Sequence, residues 1–372
     1  MQILTVNVGS SSVRLTVHQV VGNQVTCLGR VHAEGQAQEA EALVQRALQT
    51  AQVGSVDAVA HRIVHGGPQL RRATLVNAEV LALLEDASVL APLHNPPALR
   101  FLHRLQQGAV AQVPHVAVLD TSFFVDMPQV AKRYALPQAL CEEHHLQRYG
   151  FHGLAHNSMW QSYAAVRPAA KATAKVISLQ LGSGCSMAAL RGGVAQDTSM
   201  GFSPLEGLVM GSRCGDVDPG LLLYLQQQVG ITPEALKEML ESRSGLLGVS
   251  AHSSDMRELC KLQTSAAKFA VELFCARARK YLGAYLTVLQ GCDALIFGGG
   301  IGENQAIVRE RIVAGLGWLG VKLSETEPAA GAMRLISAAD STVEVWVAAV
   351  DEAAVAAGQA AEVLKQHHAT ES

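Results

Sequence analysis

Residues 1–23, MQILTVNVGSSSVRLTVHQVVGN, run as a β-branched stretch (3–8), a turn of Gly9, Ser10, Ser11 and Ser12, a second alternating stretch (13–20), and a Gly22-Asn23 turn. Apolar alternation bounded by turn formers is the pattern of a β-hairpin. The same plan restarts at residues 176–193, VISLQLGSGCSMAALRGG, with Gly182-Ser183-Gly184 as the turn and Gly192-Gly193 closing the second strand. Asn7-Val8-Gly9-Ser10 and Gln180-Leu181-Gly182-Ser183 align as polar, apolar, Gly, Ser. Two such openings predict a duplicated domain.

Outward from the first opening, helical periodicity covers 37–52 and 78–90, a further helix follows Pro96-Pro97, and strands are expected at 58–64 and 115–119. Outward from the second, helices are expected at 221–228, 233–242 and 264–289, with strands at 294–297 and 343–347. A glycine-rich turn at 298–302, a helix after Asn304, and an Ala-rich helix after Asp351-Glu352 complete the pattern. Strands and helices alternating at these lengths predict a mixed α/β architecture, and 372 residues suit two domains with a cleft. No Pro/Ser-rich linker separates the halves, so the hinge is expected to be short.

The chain is 49% hydrophobic and 16% charged, enough for sizeable cores. Lys and Arg number 29 against 32 Asp and Glu, a net charge of -3, which excludes a broad basic field for nucleic acid or anionic lipid. Seven scattered cysteines without a C-x-x-C pair argue against a disulfide framework and a zinc site, and read as buried thiols in a reducing compartment. With no basic leader and no apolar stretch long enough to span a bilayer, the expected location is cytoplasmic.

Three glycine-rich turns follow predicted strands, at 9–12, 182–184 and 298–302. Each can present backbone N–H groups to an anion, and each can equally be a plain tight turn. No G-x-x-x-x-G-K-[ST] occurs, which excludes a P-loop, and none of the three turns meets the G-x-G-x-x-G dinucleotide fingerprint. Arg62, in HRIVHGG from His61, stands at a strand end where its fork of donors suits a carboxylate. His94 lies in a proline-fixed loop (APLHNPP), Asp120 ends a strand where a carboxylate can hold a hydrated metal, and His152 and Arg213 sit between glycines. Singly, each is more often a structural residue; together, in small-residue loops, they point to a site. His152 and His156 are four apart, a zinc spacing that lacks a third ligand.

These residues resemble the acetate kinase family, within the superfamily of actin, the heat-shock ATPases and the sugar kinases. The motifs are NVGSSS at Asn7, HRIVHGG at His61, APLHNPP at Ala91, DTSF at Asp120, RYGFHG at Arg148, DTSMGFSPLEGLVMGSRCGDVDPG at Asp197, LLGVSAHSSDMREL at Leu246 and GGGIGEN at Gly298. The resemblance implies two duplicated actin-like (ribonuclease H-like) α/β domains around a central cleft. An acyl-substrate and metal domain would span 1–148, with a final helix near 353–372 packing on it, and a nucleotide domain would span 149–352. It implies transfer of the ATP γ-phosphate to acetate, with Mg²⁺ or Mn²⁺ held by Asn7 and Glu352. Arg62 would bind the carboxylate, and Val64, Leu93 and Pro204 would line the methyl pocket. Of the catalytic residues, Asp120 would be the active-site aspartate that helps to hold the hydrated metal, His152 and Arg213 would stabilise the phosphoryl group in flight, and His94 would lie near that group. The nucleotide would meet Arg14, Gln180, Leu181, Gly182, Ser183, Gly184, Asp255, Met256, Arg257, Gly300, Ile301, Gly302, Glu303 and Asn304. A homodimer is also implied.

The chain departs from the family pattern at Gln180 and Ser183 (histidine and asparagine in the family), Arg14 (lysine), Asp351 (asparagine) and Gly298-Gly299 (T-A), and it is shorter between Arg30 and Asp57. Several of these departures fall on the phosphate and nucleotide surface. The alternatives are therefore a propionate or other short-chain acyl kinase, or a kinase-like nucleotide-binding protein with an altered donor or without catalysis.

Overall fold

The computed structural model describes residues 1–9, 12–34, 40–324 and 331–371. Ser10 and Ser11 of the first glycine–serine turn, and positions 37–39 at the expected start of a helix, lie outside the described residues. The chain forms two compact units, one of residues 1–125, 151–154 and 351–372 and the other of residues 126–150 and 155–350.

Unit 1 is built on a six-stranded sheet of β1 (Gln2–Val8), β2 (Ser12–Val21), β3 (Gln24–Glu34), β4 (Ala58–Ile63), β5 (Thr74–Leu75) and β6 (His115–Leu119), in the order β3-β2-β1-β4-β6-β5. β1, β2 and β3 form an antiparallel meander, while β1, β4 and β6 run parallel. Unit 2 repeats the plan with β7 (Lys175–Leu181), β8 (Cys185–Arg191), β9 (Val194–Thr198), β10 (Ala294–Gly298), β11 (Met333–Leu335) and β12 (Glu344–Ala348). Its order, β9-β8-β7-β10-β12-β11, matches strand for strand, again with three antiparallel strands, a parallel trio and an antiparallel edge. The duplication predicted from two hairpins is thus a duplication of whole sheets.

Successive residues of a strand face opposite sides, and each side of the unit 1 sheet finds its own cover. Leu4, Val6, Val13 and Leu15 pack with Leu43, Val44, Ala47 and Leu48 of the helix Ala40–Ala51. Ile63, Ala117 and Leu119 pack with Leu84, Ala98 and Leu99. On the reverse face Ile3, Ala60, Val116 and Val118 meet Val355, Ala356, Ala357, Ala360 and Ala361 of the helix Glu352–Glu371, whose small side chains allow a close approach.

Three expectations change. The hairpin openings are three-stranded, because Gly22-Asn23 and Gly192-Gly193 lead into β3 and β9. The stretch Gly299–Asn304 is a short helix, where a glycine turn was expected; Arg309 Nη1–H donates to the carbonyls of Gly302 (2.8 Å) and Glu303 (3.2 Å), a tertiary anchor that overrides low helix propensity. Cys27 is exposed on β3 and only Cys141, Cys185 and Cys275 are buried, so the thiols are not uniformly interior. No helix among the described residues is long and apolar enough to cross a membrane.

Candidate active site

In unit 1 three adjacent parallel strands end together, and each delivers a polar side chain. Asn7 lies near the end of β1, Arg62 near the end of β4, and Asp120 directly after β6. The crevice outside the carboxyl ends of such strands is the usual ligand site of open α/β sheets. Glu352, the first residue of the helix Glu352–Glu371, joins them. Arg62 binds Asp120 through both oxygens (Nη2 to Oδ2 2.7 Å, Nε to Oδ1 3.3 Å), donates from Nη1 to Asn7 Oδ1 at 3.1 Å, and lies 3.4 Å from Glu352 Oε2. Asn7 Nδ2–H donates to the same Glu352 oxygen at 3.4 Å.

The cluster places two carboxylates around one guanidinium. Burial opposes the charge of Arg62, but Asp120 and Glu352 beside it raise its pKa above the ordinary value. Glu352 is displaced upward, first by burial and further by Asp120, against the pull of Arg62 and Arg14. The oxygen donors gathered here are of the type that a hard divalent cation takes. Mg²⁺ commonly takes one or two protein carboxylates and keeps its remaining ligands for water and phosphate, and the oxygens of Asn7, Asp120 and Glu352 are of that kind. Arg14 is exposed, paired in register with Asn7.

His152 adopts a left-handed backbone (φ 58°), uncommon for a non-glycine residue and frequent at functional sites. The next residue is held against Asp120: a Cβ on Gly153 would fall 2.0 Å from the Asp120 carbonyl oxygen. His152 is therefore fixed beside the strand end that carries Asp120. His156 does not join it, because its two ring nitrogens lie 2.7 Å from Ser178 Oγ and 2.8 Å from Ser186 Oγ, which removes the zinc reading of this pair.

Val64 directly follows β4, and Leu93 is 52% exposed in the loop before the helix Asn95–Leu105. His94 is the residue that precedes that helix. The two loops are joined by a residue that sequence reasoning quoted without assigning it a role: fully buried Asn95 accepts from His65 N–H (3.2 Å) and donates to the His65 carbonyl (2.8 Å).

In unit 2, Gln180 lies one residue before the end of β7, alongside Gly298 of β10. The turn holds itself through Gly182 N–H to the Gly184 carbonyl (3.1 Å), and Gly211 N–H donates to the Ser183 carbonyl (2.9 Å). Ser254 lies against Gly211, and Asp255 caps the helix Met256–Lys261 while pairing with exposed Arg257 at 2.6 Å. Leu181 and Met256 are buried, so they offer backbone and not side chain. Of the segment 300–304, Asn304 Nδ2–H donates to the Gly300 carbonyl (2.9 Å), Ile301 is half-buried, and Glu303 accepts from Val350 N–H (3.3 Å).

The Gly298-Gly299 pair has a local cause. Side chains there would meet Val350, Met159, the Leu181 carbonyl and the Gln180 amide, all within 2.8 Å, and Gly299 has φ 75°. The Gln180 amide lies over that glycine, and its buried Oε1 has no hydrogen-bond donor among the described residues. Arg213, half-buried, donates from Nη1 to the Pro204 carbonyl at 2.8 Å. No carboxylate among the described residues pairs with it, and burial lowers its pKa. A guanidinium with donors to spare and no carboxylate in hydrogen-bonding reach among the described residues is a ready anion site.

A model of the acetokinase family matches residues 14–358. An acetate kinase from Chloroherpeton thalassium is 43% identical over 309 residues, covering 81% of this chain and 74% of that protein. The crystal structure of Porphyromonas gingivalis acetate kinase superimposes with a TM-score of 0.86 at 31% identity, covering 98% of this chain and 99% of that one. A propionate kinase from Francisella tularensis gives 0.85 at 31% identity, covering 96% and 98%.

Proposed function

The chain belongs to the acetokinase family, and from that premise we propose that it transfers the γ-phosphate of ATP reversibly to acetate, giving acetyl phosphate and ADP. The observation that carries this reading is the gathering of Asn7, Arg62, Asp120 and Glu352, distant in sequence, into one hydrogen-bonded cluster. Buried charges held together in this way are expensive, and a scaffold has no use for them.

A carboxylate is ionised at neutral pH and needs no base to act as nucleophile. The side chains must therefore position and neutralise. Arg62, its plane set by Asp120, receives the acid and aims one carboxylate oxygen at the γ-phosphorus. That oxygen forms the new P–O bond as the bond to ADP breaks on the opposite side. Arg213, His152 and His94 offset charge on the transferring group, with Arg14 and the 182–184 turn on the nucleotide phosphates and residues 255–257 and 300–304 on the rest of the nucleotide. Asn7 and Glu352, with Asp120 beside them, would hold Mg²⁺, which supplies charge neutralisation of the phosphate oxygens when bound. Val64 and Leu93 of unit 1 receive the methyl group of the acid. The family resemblance further supports a cytoplasmic homodimer.

A coupled assay with acetate, ATP and Mg²⁺ tests the reading. Activity is expected in the wild type, and Arg213→Ala should lower kcat by roughly 10³ with little change in KM. Absence of acetyl phosphate at any acetate concentration would exclude acetate as substrate. The lone Gln180 acceptor favours one second reading, an altered phosphate donor, which the same assay decides with pyrophosphate in place of ATP.

A further inference from the structure

Arg213 is aimed by a carbonyl, so whatever fixes that carbonyl fixes the guanidinium. Pro204 stands in the middle of a loop that is gripped on both sides by one hydroxyl. Tyr134 OH accepts from Phe202 N–H (2.8 Å), two residues before Pro204, and donates to Glu206 Oε2, two residues after it. Glu206 is in turn held by Arg148, Nη2 to Oε1 at 2.6 Å, and the Arg148 guanidinium lies over the Tyr134 ring, 5.6 Å from its centroid. Arg148 also donates to the Thr198 carbonyl (3.0 Å), just upstream of the same loop. The fit is tight: a Cβ on Gly201 would collide with both Glu206 and the Tyr134 hydroxyl.

We propose that Tyr134, acting with Glu206 and Arg148, is a positioning residue for phosphoryl transfer, clamping the loop whose Pro204 carbonyl orients Arg213. The inference rests on the placement of Arg213 at the transferring group given above. It differs from a merely structural role in one consequence. If Tyr134 acts through Arg213, its removal matters only while Arg213 is present.

The test is a double-mutant cycle with Tyr134→Phe, which keeps the ring over Arg148 and deletes only the hydroxyl, and Arg213→Ala. Tyr134→Phe should lower kcat about tenfold, the effect of one lost hydrogen bond to a charged partner, with both KM values within about twofold. In the Arg213→Ala background the same change should alter kcat by less than about twofold. Glu206→Gln should reproduce this pattern, and it decides the matter if Tyr134→Phe fails to fold by circular dichroism. An equal loss in both backgrounds, or a loss confined to KM, overturns the proposal. The cycle is repeated with inorganic phosphate binding by calorimetry as the readout. Weaker binding on loss of the hydroxyl only when Arg213 is present supports the clamp, and equal weakening in both backgrounds overturns it. That arm stands even if the wild type forms no acetyl phosphate, so failure of the acetate reading and failure of the clamp are separable.

Discussion

Replacing Arg62 by alanine removes the one guanidinium that lies between two carboxylates. Asp120, 1% exposed, then loses both short contacts, and Glu352, 22% exposed, loses its cation. Breaking a buried pair from one side costs about 3–5 kcal/mol, because the remaining charge is stranded. Arg62 itself retains 19% exposure, and solvent screening reduces the figure to about 2–4 kcal/mol. For a unit of this size that is a fall in Tm of about 5–15 °C. Differential scanning calorimetry in EDTA measures it. Added Mg²⁺ should restore more Tm in Arg62→Ala than in the wild type, because the stripped carboxylates form an oxygen site short of positive charge. Steady-state kinetics should show a raised KM for acetate together with a lowered kcat. An unchanged Tm in EDTA would refute the view that Arg62 neutralises this cluster, and unchanged kinetics at both limiting and saturating acetate would remove it from substrate binding.

Further expectations concern the acid, the donor and pH. Acetate should be preferred to propionate and butyrate by about tenfold to a few hundredfold in kcat/KM, since one methylene in a pocket lined by Val64 is worth about 1–3 kcal/mol; equal values for acetate and butyrate would contradict the pocket. Gln180→His with Ser183→Asn should lower the KM for ATP and raise activity, because the wild-type turn lacks a chargeable donor; a much less active double mutant, with pyrophosphate serving the wild type better than ATP, would mean the loop serves another donor. Burial lowers His156 to about 3 and His65 to about 4. Both stay neutral when folded and take protons when unfolded, so stability should fall as pH drops below about 6.5, with His156 alone contributing about 2 kcal/mol of loss by pH 5. Urea unfolding at pH 7 and pH 5 measures this, and equal midpoints would contradict it.

The residues that cluster in unit 1, Asn7, Arg62 and Asp120, were legible as candidates because they sit at strand ends in short motifs, where local pattern and position coincide. β3 was not, because it is an edge strand with mostly exposed or half-buried residues and no apolar run to mark it. The helix Gly299–Asn304 looked like a turn because glycine disfavours helix, and the Arg309 anchor that stabilises it lies beyond the motif. Asn95 and Glu206 stood inside quoted motifs, yet their partners, His65 and Tyr134, lie 30 and 72 residues away. No local pattern encodes such pairings. Gly153 was equally opaque, since the need for glycine arises from the Asp120 carbonyl pressed against it.

The helix Glu352–Glu371 has a consequence for synthesis. Unit 2 possesses every one of its residues before Asp351 leaves the ribosome, whereas the sheet of unit 1, all of it made far earlier, waits with Ile3, Ala60, Val116 and Val118 uncovered. That bare apolar face is a natural substrate for chaperones until Val355, Ala356 and Ala360 arrive to cover it. The same late segment delivers Glu352 to Asn7 and Arg62, so a nascent chain can hold the loops of unit 2 in place yet acquires its acidic cluster only with this helix.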